Sequence, residues 1–204
     1  MKSVVHTPPQ AGASRLQIDD KLSVNHQLET INKIATDIVR PGEEMKQTGK
    51  LDNGTLMLAG EHGGFEVKGD RSVVHAAPGS TVKKQVVVTG KTMLSGATLS
   101  CDGNTPAVLV KDGGRLVMSD CHITKDDNRQ ALATDTYISI ATGGYATLRG
   151  CIFYGSQTDT GALVHNDDPL NPNRVAVVGC MNLTDVVTTP FVNVLPANVV
   201  GVVP

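Results

Sequence analysis

Four cysteines carry the most obvious chemistry in this chain, and they recur at intervals of about 20 to 30 residues. They are Cys101, Cys121, Cys151 and Cys180. An even number of cysteines is compatible with two disulfides, and thiolates also bind zinc. However, no Cys-x-x-Cys pair occurs, and the intervals are those of a structural repeat. We therefore expect four reduced thiols that pack inside the protein as a core ladder, with no metal and no other cofactor.

Two pairs of adjacent carboxylates, Asp126-Asp127 and Asp167-Asp168, lie in long segments between apolar stretches. Paired carboxylates can bind Ca²⁺ or hydrolyse glycosides, and loops on a rigid scaffold often carry function. Neither segment has the ligand spacing of a calcium-binding loop, and Asp and Asn also favour turns. We interpret both pairs as turn residues, with calcium binding or catalysis as the alternative.

The cysteines belong to a pattern that occurs three times, in Pro106–Thr124, Thr136–Tyr154 and Gly161–Thr184, with a weaker copy ending on Cys101. When the copies are aligned on the cysteine, the residues three and five positions earlier are apolar in all three full copies. Those residues are Leu116, Met118, Ala146, Leu148, Val175 and Val177. This alternation predicts a strand with one face directed inward.

The residue before each cysteine is Ser100, Asp120, Gly150 or Gly179. Because Gly and Asp tolerate a left-handed backbone, we expect the chain to bend sharply at this position. A second short alternating stretch lies upstream and ends at a Gly-Gly pair in the first two full copies. Each copy therefore predicts a strand, a turn, a strand, a one-residue bend, a third strand and a loop.

A unit of this size cannot bury its apolar face alone, so successive copies must stack to form one core. The sequence thus predicts an all-β fold, a single-stranded parallel β-helix (a solenoid) that spans residues 64–204 and ends in an apolar C-terminal cap. Residues 43–63 are polar and Gly-rich, and we interpret them as a linker into the first coil.

The pattern resembles the right-handed parallel β-helix of the pectate-lyase-like superfamily. The residues that carry the resemblance are the apolar-x-apolar-x-[Gly/Asp]-Cys-x-apolar runs at Leu116–Ile123 and Ala146–Phe153. It covers roughly Gly64 to Val194 and implies a right-handed helix. It says little about function, because that fold serves enzymes, adhesins and viral spikes alike.

Enzymes of that superfamily that cleave polysaccharides use acids, Lys or Arg clustered on one sheet face. The resemblance makes Asp120, His122 and Arg149 the candidates in this chain. Asp120 occupies the predicted bend, and the other two occupy outward positions in different repeats. No Ser-His-Asp order, phosphate-binding loop or His-Glu-x-x-His motif occurs. We therefore expect no catalytic residue and no enzymatic activity.

The first 42 residues lack the repeat. Residues 1–20 contain Pro8, Pro9 and Gly12, which predict an extended arm that is either a disordered tail or an attachment segment ordered on a partner. Within residues 21–42, a helix is predicted at Ser23–Val39. The positions that form its a/d stripe are Leu28, Ile31, Ala35 and Ile38. The helix could join a three-helix bundle that holds a trimer together, or it could cap the first coil of its own chain.

The C-terminal residues Pro190–Pro204 are apolar and contain no charged side chain. Because a monomer would expose such a surface, they either cover the last coil or pack against copies of themselves. Outward apolar residues such as Val117, Tyr145 and Tyr154 would also be buried if three chains lay side by side. Both observations favour self-association.

Composition limits the remaining function classes. The net charge is −2 and charged residues make up 19% of the chain, so electrostatics favours neither nucleic acid nor an anionic membrane as partner. Aromatic residues are 3% and Trp is absent, which counts against a sugar-binding groove rich in stacking rings. No signal peptide is visible at Met1–Gln10, and reduced thiols fit synthesis in a cytosol.

The layout of arm, short helix, β-helix and apolar end resembles bacteriophage trimeric tail spikes, head fibres and capsid decoration proteins. We expect a homotrimeric virion protein, made in the bacterial host cytoplasm, whose N-terminal arm binds a capsid or tail protein. One alternative is a tail-spike-like β-helix that binds or cleaves a polysaccharide. Another is a cytosolic β-helix that serves as a scaffold without any viral role.

Overall fold

The computed structural model describes most of the chain from residue 35 onward. The described residues are 35–42, 54–101, 105–125, 136–155, 162–184 and 190–203. The chain divides into two compact units, Met1–Thr36 and Asp37–Pro204. Ala35 and Thr36 are the only described residues of the first unit, and all others belong to the second.

The described residues form mostly short strands, joined by turns and two single-turn 3₁₀-helices at Pro172–Arg174 and Pro196–Asn198. Among the described residues no helix is long and apolar enough to cross a membrane. The strands are β1 Ala35–Val39, β2 Gly54–Met57, β3 Gly60–His62, β4 Phe65–Val67, β5 Ser72–Ala76, β6 Ser80–Val82, β7 Val86–Val88, β8 Lys91–Ser95, β9 Thr98–Cys101, β10 Val108–Val110, β11 Arg115–Ser119, β12 His122–Lys125, β13 Thr136–Ile140, β14 Tyr145–Arg149, β15 Ile152–Tyr154, β16 Ala162–Asn166, β17 Val175–Val178, β18 Met181–Leu183, β19 Phe191–Val192 and β20 Val199–Val200.

The strands form three sheets that the chain visits in rotation. Sheet A has eight strands in the order β1-β2-β5-β8-β11-β14-β17-β20, sheet B has six in the order β3-β6-β9-β12-β15-β18, and sheet C has six in the order β4-β7-β10-β13-β16-β19. From β2 onward, the pairings within the sheets are parallel. One strand from each sheet in succession makes a coil, and the coils stack. The predicted all-β class with parallel, solenoid-like sheets is confirmed, and the arrangement is compatible with a β-helix.

Inward side chains stack in columns along the interior. Because each strand pairs in register with its counterpart in the next coil, equivalent residues lie about 4.8 Å apart. Sheet A contributes the buried column Val74, Leu94, Met118, Leu148 and Val177. Sheets B and C contribute Val82, Leu99, Ile123 and Phe153, and Val86, Val108, Ile138 and Val164. Because these columns pass from coil to coil, the core is continuous along the solenoid. Each of these side chains contributes about 1.5–3 kcal/mol to the free energy of folding by leaving water.

A left-handed residue ends the sheet A strand wherever the chain passes from β8, β11, β14 or β17 into sheet B. These residues are Gly96, Asp120, Gly150 and Gly179, with φ of 76°, 53°, 59° and 60°. The bend predicted at Asp120, Gly150 and Gly179 is confirmed. In the weaker copy the bend is at Gly96 rather than Ser100.

The register also corrects the predicted place of Cys101 in the ladder. β12 pairs with β9 so that Lys125 faces Cys101, while the His122 amide donates to the Ala97 carbonyl at 2.9 Å. The residue that precedes Cys121 in its column is therefore Ala97, and Cys101 lies four residues farther along the chain. The physical reason is that Gly96 adopts the left-handed bend, which sets the strand phase before Cys101 is reached.

The helix predicted at Ser23–Val39 is wrong in its described part, because Ala35–Val39 is strand β1. Thr36, Ile38 and Val39 are β-branched, which favours a strand. Val39 is buried, and its carbonyl accepts from the Leu58 amide at 3.0 Å. Sheet hydrogen bonding and burial thus prevail over the a/d spacing.

Other N-terminal predictions fall only partly on the described residues. Of the proposed bundle positions, Ala35 and Ile38 belong to β1, whereas Leu28 and Ile31 lie outside the described residues. The arm at residues 1–20 lies outside them as well. Strands β2 and β3 already belong to sheets A and B, within the segment interpreted as a linker, residues 43–63.

Candidate functional site

Three of the four cysteines form one column where the chain enters sheet B. Cys121, Cys151 and Cys180 are buried and free of disulfides. The amide after each cysteine donates to the preceding member of the column, as with Ile152 to the Cys121 carbonyl at 2.9 Å and Met181 to the Cys151 carbonyl at 2.9 Å. The cysteines therefore stack on successive coils.

Two thiols in this column, those of Cys121 and Cys151, are held in their protonated form. Burial raises the pKa of Cys121 to about 11. A hydrogen bond between the Cys151 and Cys180 thiols, together with burial, raises the pKa of Cys151 above its ordinary value, and the same hydrogen bond lowers the pKa of Cys180 to about 7. Within the described ranges, no group of three or more His, Cys, Asp or Glu side chains is arranged to hold a metal ion. The Cys121 and Cys151 thiols therefore pack in the core as small apolar groups.

The two carboxylates of the acidic pair at Asp167-Asp168 face different surroundings. Asp168 is 6% exposed, and its Oδ2 accepts from Arg174 Nη1 at 2.7 Å and from Asn171 Nδ2 at 3.0 Å. Asp167 is exposed, with its Oδ1 3.8 Å from His165 Nε2. Because one carboxylate is held in an ion pair, the two do not form a shared site. Asp126 and Asp127 lie outside the described residues.

A buried asparagine organises the corner that carries this pair. Asn166 is 0% exposed and pairs with Ile140 of the preceding coil, in a column of apolar side chains. Its Nδ2 donates to the carbonyls of Asp168, Asn171 and Asn193 at 3.0–3.2 Å, and its Oδ1 accepts from the Asp168 amide at 3.1 Å. The Asn166 side chain thus satisfies hydrogen-bonding groups of the backbone in this loop. The loop is longer than the Gly-Gly turns of the earlier coils. The only sequence signal for it is an Asn at an inward apolar position.

The three candidates for catalysis lie on the surface but form no reactive group. Asp120, His122 and Arg149 are all exposed. The Asp120 amide donates to the Arg149 carbonyl at 3.0 Å, so this contact is between backbones. The His122 ring meets the Tyr154 ring edge-on, with centroids 5.6 Å apart. The left-handed bend explains why Asp occupies position 120, and the contact with the Tyr154 ring explains the position of the His122 ring.

The outer face of sheet A carries a line of cations that runs along the solenoid. The register places Lys91 opposite Arg115, and Arg115 opposite Tyr145. Arg71 lies one residue before Ser72, which pairs with Thr92, and Arg174 lies one residue before Val175, which pairs with Ala146. Both residues therefore extend the same line. We call this set the cationic row: Arg71, Lys91, Arg115, Tyr145 and Arg174.

Two guanidinium groups lie over the single aromatic ring of the cationic row. The Cζ atoms of Arg115 and Arg174 are 4.8 and 5.2 Å from the centroid of the Tyr145 ring. At an exposed position each cation–π contact is worth about 0.5–1 kcal/mol. Arg174 also binds Asp168, so the buried corner and the cationic row are joined through one side chain.

A line of apolar side chains runs beside the cationic row. The register aligns Val73, Met93 and Val117 on neighbouring strands, and we call them the apolar row. Met93 is 53% exposed. These three residues line a shallow depression of about 310 Å³, whose other lining residues are Asp70, Arg71, Ser72, Lys91, Thr92 and Arg115. The sequence pattern identifies Val117 and Tyr145 as outward apolar residues but does not place the cations beside them.

The C-terminal end of the solenoid carries a second apolar surface. Inside it, Phe191, Val199 and Val202 pack against the core. Outside it lie exposed side chains that we call the C-terminal tip: Val178, Met181, Leu183, Leu195, Val200 and Val203. Residues 190–203 therefore cover the last coil and also leave an apolar exterior without charged side chains.

Comparisons with known proteins give no relative from which a role could be transferred. No family model, no curated protein and no solved structure matches the chain. The function must therefore be inferred from the surfaces themselves.

Proposed function

We propose that the chain is a structural protein of a bacteriophage particle. It is a homotrimeric, right-handed parallel β-helix of the pectate-lyase-like kind and serves as a capsid decoration protein or head fibre. Its N-terminal segment anchors it to a capsid or tail protein. It is made in the host cytoplasm and resides in the virion. The observation that carries this proposal is the C-terminal tip.

The tip supports self-association because of its composition and its place. In a trimer, residues that lie near the three-fold axis meet their own copies, so a charge at a tip on that axis would meet the same charge on the next chain. No residue of Pro190–Pro204 is charged, and Val200 and Val203 are 55% and 53% exposed. Val200 and Val203 pair with Val178 and Met181 of the preceding coil, and adjoining exposed apolar side chains of this kind favour an interaction site.

The rest of the described molecule supports a structural role. The core is a continuous stack of apolar columns, and the buried reduced thiols are suited to folding in a cytosol. The tail-spike-like alternative has less support. The Tyr145 ring, which a sugar would stack upon, is already contacted by Arg115 and Arg174, and Asp168 is held by Arg174.

Attachment is tested by comparing the full chain with a chain that lacks Met1–Asp20. Each is produced during infection in cells whose phage lacks its own copy of the gene, and purified particles are assayed for the protein. We expect full-length protein on the particles and none from the shortened chain, with far-ultraviolet circular dichroism unchanged. If the shortened, folded chain still attaches, the N-terminal segment is not the anchor. If neither chain attaches, the virion role is wrong.

A further inference from the structure

The cationic row places like charges next to one another, which destabilises the folded chain unless something binds them. Lys91 and Arg115 are directly opposite on paired strands, and Arg71 continues the line. Like charges at opposite positions of a sheet repel. Within the described ranges, none of these three side chains forms an ion pair with a carboxylate, whereas Lys68, Lys83, Lys111 and Arg174 each do. Asp70 is exposed and lines the same depression, and the three cations outnumber this carboxylate, so the row presents net positive charge on the sheet.

The apolar row lies directly beside these cations and follows the same direction. Val73, Met93 and Val117 stand on β5, β8 and β11, two residues along each strand from Arg71, Lys91 and Arg115. The two rows thus form a strip with apolar side chains in the middle and cations along one flank. The opposite flank carries His75, Ser95 and Ser119 on the same strands. A matching partner needs an apolar stripe with negative charges along one side only.

We propose that this strip is a docking surface for an acidic amphipathic α-helix of another protein, lying along the solenoid axis. Rungs of the strip repeat at about 4.8 Å, the spacing of neighbouring strands. An α-helix advances 5.4 Å per turn and presents a side chain to each flank of its apolar stripe once per turn. Across three rungs the mismatch is only about 1 Å, which long Lys and Arg side chains absorb. Carboxylates on the helix pair with Arg71, Lys91 and Arg115 while its apolar stripe covers Val73, Met93 and Val117.

The same strip is poorly suited to a single-stranded nucleic acid. Proteins that bind single strands stack successive bases on several aromatic rings. Tyr145 is the only aromatic residue of the cationic row, and its ring is contacted by the guanidinium groups of Arg115 and Arg174. An extended peptide also fits less well, because its side chains on one face recur about every 6.6 Å. A helix matches both the charge line and the apolar line.

The probe is a fluorescent synthetic peptide of about 21 residues, long enough to be helical once bound. It carries Leu along one stripe, Glu along one flank of that stripe, and Ala and Gln elsewhere. A control peptide carries Lys in place of each Glu, and a second has the acidic sequence shuffled to break the stripe. Binding to the full chain is followed by fluorescence anisotropy at low and moderate salt, because exposed ion pairs weaken as salt rises.

We expect the acidic amphipathic peptide to bind and both control peptides to bind at least tenfold more weakly. The double variant Lys91→Glu/Arg115→Glu should lose at least tenfold in affinity. The charge-matched variant Lys83→Glu/Lys84→Glu, with both substitutions in the turn between β6 and β7, should stay within about twofold, and Met93→Asp should weaken binding at moderate salt.

The proposal is overturned if the shuffled peptide binds equally well, or if the two double variants lose affinity equally. It is also overturned if heparin or single-stranded RNA binds through Lys91 and Arg115 while the peptide does not. Binding of the peptide only to a variant that has been made monomeric would show that a second copy occupies the strip. These outcomes do not depend on the proposed virion role, which concerns the N-terminal segment and the C-terminal tip.

Discussion

Asn166 and Asn193 each donate a side-chain hydrogen bond to the backbone carbonyl of the other. Asn166 Nδ2 lies 3.0 Å from the Asn193 oxygen, and Asn193 Nδ2 lies 2.8 Å from the Asn166 oxygen. Asn193 adopts a left-handed conformation, with φ of 53°. This reciprocal pair of hydrogen bonds joins the last two coils at the corner where the column of inward apolar side chains ends at Asn166.

Replacing Asn166 with Leu should strongly destabilise the protein, because the Asp168 carbonyl and amide would lose a buried partner and the Asn171 and Asn193 carbonyls a partly buried one. Each unsatisfied buried group costs about 1–3 kcal/mol, so we expect a total loss of at least about 2 kcal/mol in the free energy of unfolding. Replacing Asn193 with Gly should cost less, since Gly accepts the left-handed backbone and only one side-chain bond is lost. Urea denaturation of the two variants measures this. Equal losses would contradict the central role of Asn166.

The ion pair between Asp168 and Arg174 should matter more than any contact of Asp167. Asp168 is nearly buried, and removing one partner of such a pair leaves the other charge uncompensated. We expect Asp168→Asn to cost about 2–3 kcal/mol. Asp167→Asn changes an exposed side chain and should stay within about 0.5 kcal/mol. Thermal unfolding of both variants is the measurement, and similar midpoints would show that the pair does not hold the corner.

Substitutions of Asp120 should change the stability of the protein through the backbone conformation that the new residue allows, rather than through the loss of the carboxylate charge. Asp120 is exposed and has φ of 53°. Asp120→Ala should destabilise by about 1 kcal/mol, because Ala tolerates this conformation poorly. Asp120→Gly should be close to neutral, as Gly96, Gly150 and Gly179 serve the same position. Chemical denaturation distinguishes the two substitutions, and equal losses would point to the carboxylate instead.

The buried thiol of Cys121 predicts a dependence of stability on alkaline pH. Its pKa is raised to about 11 from 9.0, so between these values the unfolded chain loses this proton while the folded chain keeps it. Stability from this group is complete below pH 9 and is lost as the pH rises toward 11. We expect the destabilisation caused by Cys121→Ala to shrink over that range.

Ala already occupies this column at Ala97, so the variant should fold. Denaturation midpoints at pH 8, 9 and 10 measure the difference between the variant and the wild type. A constant difference would mean that the thiol does not titrate differently in the two states.

The strand pattern can be predicted from sequence because it depends on local spacing. Alternation before Cys121 and Cys151 and the left-handed preference of Gly identify strands and bends correctly. The predicted position of Cys101 is wrong because the weaker copy carries Ala97 where the others have cysteine. The helix predicted at strand β1 is wrong because its a/d spacing is compatible with both structures, and pairing with a distant strand decides between them.

The surfaces cannot be predicted in the same way. Residues of the cationic row lie 20 to 30 positions apart, at unequal intervals, so only the pairing register shows that Lys91 and Arg115 are neighbours. The role of Asn166 likewise depends on Asn193, which is distant in sequence. The C-terminal tip, by contrast, is visible in the absence of charge from Pro190–Pro204, because composition alone indicates it.

Self-association through the C-terminal tip is the central claim of the proposed function. Light scattering in reducing buffer measures the solution mass directly. Three chains of 21.4 kDa give a mass of about 64 kDa. Val200→Lys puts a like charge into the tip and should release monomers, whereas Leu170→Lys, at an exposed apolar residue outside the tip, should leave the mass unchanged. A wild-type mass equal to that of a single chain would contradict the trimer, and a trimer that persists in Val200→Lys would place its interface elsewhere.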